Sequence, residues 1–148
     1  MPFAPKDPLF ADRVRASFAR QRAMHALGVE ITRLAAGEIE LAMPYEASFT
    51  QQHGFVHAGA VAAVLDSACG YAAFSVMPPE AAVLTASYTI NLLAPAAGER
   101  FRMTGTVIRA GRTLVVCRGD AFTDDAATPF AVMQATLTAL YDRPGVRH

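Results

Sequence analysis

The stretch whose reading decides the fold runs from Gln51 to Ala73: Gln51-Gln-His-Gly54-Phe-Val-His57-Ala-Gly59-Ala-Val-Ala-Ala-Val-Leu-Asp66-Ser-Ala-Cys-Gly70-Tyr-Ala-Ala73. It opens with polar residues and glycines, then becomes an apolar run holding one carboxylate, Asp66. No proline interrupts Gly59 to Met77 and alanine recurs throughout, so the pattern predicts a helix. A helix that is apolar on nearly every face is buried on nearly every face. The run is also about long enough to span a membrane. Against that, Asp66 sits near its middle, which is costly in lipid, and Ser67, Gly70 and Ser75 add polarity with no basic cluster at the flanks. The reading adopted is a central helix wrapped by a sheet.

Working outward, residues 1–8 hold three prolines and read as an irregular arm. Leu9, Phe10, Val14, Phe18 and Met24 then recur at helical spacing, with Arg13, Arg15, Arg20 and Arg22 around the rest of the circumference and Gly28 after the end. One amphipathic helix of about four turns is predicted. It either docks its apolar face on the domain or lies as a basic helix against a membrane or phosphates. Val29–Leu34 and Glu38–Met43 alternate apolar with polar around an Ala35-Ala36-Gly37 turn, which makes a hairpin. Pro44 ends the second strand, and Glu46–Gln52 is a polar loop into the central helix.

Beyond that helix, Pro78-Pro79-Glu80 breaks the chain. Four strand-like segments follow: Ala82–Leu93, Arg100–Arg109, Thr113–Thr123 and Phe130–Tyr141, with a tail over Arg143–His148. Consecutive strands joined by short turns are expected to be antiparallel. The class is therefore α+β in a single domain over residues 1–148: an arm and helix (1–27), a core (28–141) and a tail (142–148). About six strands form a curved antiparallel sheet, and only the long apolar helix is able to fill its concave face.

Composition narrows the function. Apolar residues make up 53% of the chain and charged residues 18%, a thin polar coat for a monomer, so another subunit is expected to cover part of the surface. Thirteen basic and 13 acidic residues cancel, which argues against a general polyanion binder. Cys69 and Cys117 lie far apart in apolar runs and read as buried free thiols in a reducing cytoplasm. The first residues lack the apolar core of a signal peptide. His53 and His57 stand four apart but before the helix, with no third ligand nearby, so no metal is expected.

The residues in combination resemble the hotdog-fold thioesterases of the phenylacetic-acid-degradation (PaaI-like) type. The resemblance rests on Gln51-x-x-Gly54-x-x-His57-Ala58-Gly59 followed by Asp66, on Asn91-Leu-Leu-Ala-Pro95 with Gly98, and on Gly111-Arg112-Thr113. It covers about residues 28–141. One departure is Ala58 where the family often has Gly; a backbone N–H survives that exchange unless φ is positive. The resemblance implies a cofactor-free thioester hydrolase acting on acyl-CoA as a homodimer, with dimers often pairing into tetramers. It also implies that the N–H of Ala58 is the principal donor to the thioester oxygen, that Gln51 orients substrate or water, and that Thr85 lies near the attacking water. Gly111, Arg112 and Thr113 resemble a turn that meets the nucleotide part of coenzyme A.

The chemistry can also be read from the residues. A helix start carries unpaired N–H groups and a positive dipole end, so Ala58 and Gly59 could hold an oxygen on which negative charge develops. His57 either shapes that turn or only caps the helix. Asp66 in an apolar helix is expensive unless paired or functional; it could activate a water or attack directly. Asp66 stands eight residues after Ala58, roughly 12 Å along a helix axis. One carbonyl cannot touch both, so if both act together they come from different chains in a two-fold arrangement. Tyr71, Phe74 and the Phe55-Val56 pair are candidate acyl-pocket residues. Two alternatives stay open: a module that binds acyl-CoA without cleaving it, and a hydratase, whose Asp would precede rather than follow its His.

Overall fold

Seventeen residues, Ala58–Phe74, form the central helix, α3, of this computed structural model, which describes residues 3–148. Before it come α1 (Phe10–Ala19), α2 (Arg22–Ala26), the hairpin strands β1 (Glu30–Ala35) and β2 (Glu38–Pro44), and a short 3-10 turn at Ala47–Phe49. After it come β3 (Ala82–Leu92), β4 (Arg100–Ala110), β5 (Leu114–Thr123) and β6 (Ala131–Leu140). One six-stranded antiparallel sheet has the order β1-β2-β4-β5-β6-β3 and wraps α3, which is the hotdog fold.

Alternation drives the sheet onto the helix. In β6 every second residue, Ala131, Met133, Ala135, Leu137 and Ala139, is buried, while Gln134 between them is exposed. Val61, Val64, Leu65, Ala68 and Cys69 of α3 meet this surface and are almost wholly removed from water. The helix sits unusually low at one place. Gly105 of β4 and Gly119 of β5 are direct cross-strand partners, and a Cβ on Gly105 would lie 2.3 Å from the Ala68 carbonyl oxygen. Only hydrogen at that point lets the helix backbone rest on the strands.

The structure departs from the sequence reading in three ways. The predicted N-terminal helix is two helices. At its break the Arg20 and Gln21 N–H groups turn back to the carbonyls of Ser17 and Phe18, and Gln21 is extended. The bend lets Met24 and Leu27 enter the core, which a straight helix carrying Val14 and Phe18 inward could not also do. Second, β3 and β4 are not neighbours. Leu93–Glu99 crosses the end of the sheet, burying Ala96, and β3 pairs with β6 instead. What β3 gains there is a backbone ladder with β6 running from Ala82–Leu140 to Leu92–Ala131, while most of its side chains stay exposed. Third, α3 is not covered all round. Gly59 is exposed and Ala62, Ala63, Asp66 and Gly70 are half-buried, a stripe at helical spacing that opens beside β3.

The C-terminal end of α3 is clipped by α1. The Arg13 guanidinium donates to the carbonyls of Met77 (2.8 Å) and Pro78 (3.0 Å), lies over the Phe74 ring, and is ion-paired with buried Asp7 at 2.9 Å. It also reaches the carbonyl of Phe74, the last residue of the helix, at 3.4 Å, and a cation there is favourable. The helix ends at Phe74, short of the predicted Met77, with tighter backbone turns before Pro78. No helix among the described residues is long and apolar enough to cross a membrane.

Candidate active site

The start of α3 is built almost entirely from backbone. Thr50 and Val56 bridge as a miniature antiparallel pair, and Gly54, at φ +83°, makes the tight turn between them. His57 is the N-cap: its Nδ1 accepts from the Gly59 N–H at 2.8 Å. Nδ1 being the acceptor, the neutral ring carries its proton on Nε2. The Gly59 N–H is thereby consumed, and those of Ala60 and Val61 both bond to the His57 carbonyl. The Ala58 N–H has no hydrogen-bond partner among the described residues. Ala58 is helical with negative φ, so the methyl in place of hydrogen is unstrained. Of the two donors proposed from sequence, the geometry leaves Ala58 available and takes Gly59.

Gln51 stands beside this donor. Its backbone closes the turn with Phe55 and Gly54, and its side-chain oxygen accepts from the His53 N–H, which leaves the amide NH₂ to face outward. Gln51 and Ala58 share a cleft of about 490 Å³ with Phe55, Val56, Leu92 and Phe130. The Phe55-Val56 pair thus lines the Ala58 side, as expected for an apolar pocket.

Asp66 lies further along α3 on the open stripe. Thr85 of β3 donates to its Oδ1 at 2.7 Å, leaving Oδ2 unengaged. The two residues border a second cleft of about 420 Å³. Asp66 is therefore not the isolated carboxylate in an apolar interior that its neighbours in sequence suggested; it is half-exposed and anchored by a hydroxyl. Tyr71 lines this second cleft, whereas Phe74 is fully buried beneath it.

The remaining candidates lie apart. Gly111, Arg112 and Thr113 form the β4–β5 turn, held by the Gly111 N–H to the Leu114 carbonyl at 2.8 Å, and all are exposed. The register places this turn beside Leu140 and Ala82, the end of the sheet opposite to the Leu92 and Phe101 ends that flank Ala58. Within one chain, then, Gln51, His57, Ala58 and Gly59 form one group, Asp66 and Thr85 another, and Gly111–Thr113 a third.

Sequence reasoning missed a polar set next to Asp66. Ser67 donates to the Gln21 side chain at 3.0 Å, and Ser17, Tyr71 and His148 form a hydrogen-bonded chain. Ser17 is a polar residue on the apolar face of α1, the one signal available; His148 had been read as tail. The cysteines are both free and buried, and burial pushes their thiols up, Cys117 to about 12, so neither is a thiolate nucleophile near neutrality.

A six-stranded antiparallel sheet wrapped round a long central helix defines a hotdog domain. The sequence pattern of the thioesterase superfamily matches residues 53–130, and the chain belongs to that superfamily. It resembles a thioesterase family protein from Silicibacter pomeroyi, with 54% identity, 89% of this chain and 98% of that one covered, and a TM-score of 0.86. The PaaI protein of the E. coli phenylacetic acid degradation operon shares the fold at 21% identity, 88% and 93% coverage and a TM-score of 0.81. A Saccharolobus solfataricus protein assigned as an esterase is 32% identical over 90 residues, 61% of this chain; the match spans 64% of that relative, just under two thirds of its length.

Proposed function

We propose that the protein is a PaaI-like acyl-CoA thioesterase that works as a two-fold homodimer with two composite sites. The observation that carries this reading is the pair of half-sites on one helix: a free Ala58 N–H at its start, and Asp66 held by Thr85 on its open face. Both lie in α3, separated by roughly 12 Å of helix at 1.5 Å per residue, so neither half can serve the other's carbonyl within a chain. Antiparallel packing of two α3 helices along their open stripes brings Asp66 of one protomer to Ala58 of the other.

The edge strand supports that pairing. Tyr88 and Leu92 are in register with buried Ala135 and Ala131, so they sit on the helix side of the sheet, yet they are 46% and 49% exposed. The outer edge of β3 also carries unpaired backbone groups, a surface that needs covering. A second dimer could cover the exposed Ile108 and Leu114 on the outer face, which would give the tetramer.

In the reaction the Ala58 N–H and the dipole of α3 hold the thioester oxygen as it gains charge. Asp66 of the partner chain takes a proton from water as it attacks, or attacks itself and forms an anhydride that water then opens. In either case the C–S bond breaks, the coenzyme A thiolate leaves and is protonated, and a free acid remains. Thr85 fixes the carboxylate rotamer. Arg112, on the exposed Gly111–Thr113 turn at the far end of its own sheet, comes near the partner's Ala58 in the same arrangement and can pair with a nucleotide phosphate. The buried free thiols suit a reducing cytoplasm.

The test is thiol release from a panel of aryl and aliphatic acyl-CoAs by wild type and Asp66→Asn, which keeps size and removes charge. Turnover by wild type with at least about a hundredfold loss in a folded, dimeric Asp66→Asn supports the assignment. Tight acyl-CoA binding without any thiol release by wild type would replace it with a non-catalytic acyl-CoA-binding module.

A further inference from the structure

The cleft beside Asp66 is closed by residues that the reaction above does not use. Asp66, Tyr71 and Thr85 line its roughly 420 Å³ together with Gln21, Arg147 and His148. His148 comes from the segment after β6, far away in sequence, and is held from three directions. Its ring packs on Phe74 with centroids 4.6 Å apart. Its Nδ1 is 2.8 Å from Ser17 Oγ in α1, and its Nε2 is 3.1 Å from the Val83 carbonyl in β3.

These contacts have one consistent proton arrangement. A carbonyl only accepts, so Nε2–H donates to Val83, and in the neutral ring Nδ1 must accept from the Ser17 hydroxyl. The Ser17 oxygen, 3.2 Å from Tyr71 Oη, in turn accepts from Tyr71. The chain Tyr71 to Ser17 to His148 to Val83 is thus directional and satisfied at every link. Burial of the ring side against Phe74 pulls the imidazole below its ordinary range, which favours the neutral form that this chain requires. Phe18, Tyr71, Phe74 and His148 also form a continuous row of ring contacts, with Phe74 directly behind the imidazole.

We infer that His148 is a specificity-determining residue, its imidazole forming the far wall of the acyl compartment beside Asp66 and setting the length of acyl group accepted. The inference rests on the thioesterase reading for the identity of the ligand. An acyl group whose carbonyl lies at Asp66 and which runs into this cleft meets the ring, with the apolar face of Phe74 behind it. Removing the ring uncovers that face and lengthens the compartment. Ser17, from α1, places the wall rather than touching the reacting atoms.

The test compares wild type, His148→Ala, His148→Gln and Ser17→Ala across acyl-CoAs of increasing chain length. Two readouts are taken: kcat/KM for thiol release, and calorimetric binding of non-hydrolysable acyl-CoA thioethers of the same lengths. The expected result is a shift of roughly tenfold or more toward longer chains in His148→Ala, the scale at which pockets discriminate added methylenes. Ser17→Ala, which only loosens the ring, should give a smaller shift in the same direction, and His148→Gln should stay near wild type. Should His148→Ala fail to fold, Ser17→Ala carries the comparison. An unchanged length profile in folded variants overturns the inference, even if their melting temperatures fall, because a purely structural clamp moves stability alone. Absence of thiol release together with a shifted binding profile overturns the hydrolase reading and leaves the wall standing.

Discussion

The two half-sites of α3 are made in opposite ways. At the start of the helix the proposed group is a backbone N–H, and the residues around it serve the turn: His57 caps Gly59, and Gly54 supplies the positive φ. Two turns later the proposed group is a side chain, Asp66, and the surrounding chain contributes a single hydroxyl, Thr85. The difference teaches where each half tolerates change. A backbone donor is indifferent to the side chain it carries, so Ala58 would tolerate exchange for Gly. A carboxylate has no substitute.

The sharpest way to break this contrast is Ala58→Pro. Proline is favoured at the first position of a helix, and His57 already has the extended conformation (φ −59°, ψ 136°) that a residue before proline adopts. The change therefore removes one N–H with little structural cost. We expect a loss of about a hundred- to a thousandfold in kcat with an unchanged melting temperature, measured by thiol release and calorimetry. Ala58→Gly in the same assay should stay within about threefold of wild type, since the donor is retained. If the proline variant is fully active, the oxygen is held elsewhere.

Asp66→Asn follows, at about a hundredfold or more. Next is Thr85→Ala, which frees the carboxylate from its anchor. The expected fall is about tenfold in kcat, the value of one hydrogen bond to a charged group, with Thr85→Ser restoring most of it. A Thr85→Ala enzyme with wild-type kcat would reduce Thr85 to an ordinary strand residue. The smallest effect on catalysis is expected from His57→Ala. It should cost about 1 kcal/mol of stability, read from denaturant unfolding, with kcat reduced only modestly. A loss on the Asp66→Asn scale would instead make His57 a participant in the chemistry rather than the cap that the Gly59 bond makes it.

Much of this molecule could be read along the chain. The long helix, all six strands and the α+β class follow from local periodicity, because the helix and strand repeats are printed directly in which residues are apolar. Asp66 stood out because a charge in an apolar run is conspicuous, and Ala58 because glycines and a histidine mark a helix start. What local pattern does not encode is partner choice. A short connection such as Leu93–Glu99 looks like a hairpin turn, yet β3 goes to the far edge beside β6. The kink at Gln21 was missed too, although the six residues from Phe18 to Met24 fall out of step with the helical repeat of Val14 and Phe18.

Tertiary packing alone decided the rest. It turned the apolar helix so that the Asp66 stripe stays open, because β3 at the sheet edge does not reach over it. It also drew His148 from beyond the last strand onto Phe74. The sequence by itself determined the elements, the superfamily and the local cap that spends the Gly59 N–H on His57 and leaves that of Ala58 free. Which distant segments close around that helix was decided by the tertiary structure, because burial and long-range hydrogen bonds are settled between segments far apart in the chain.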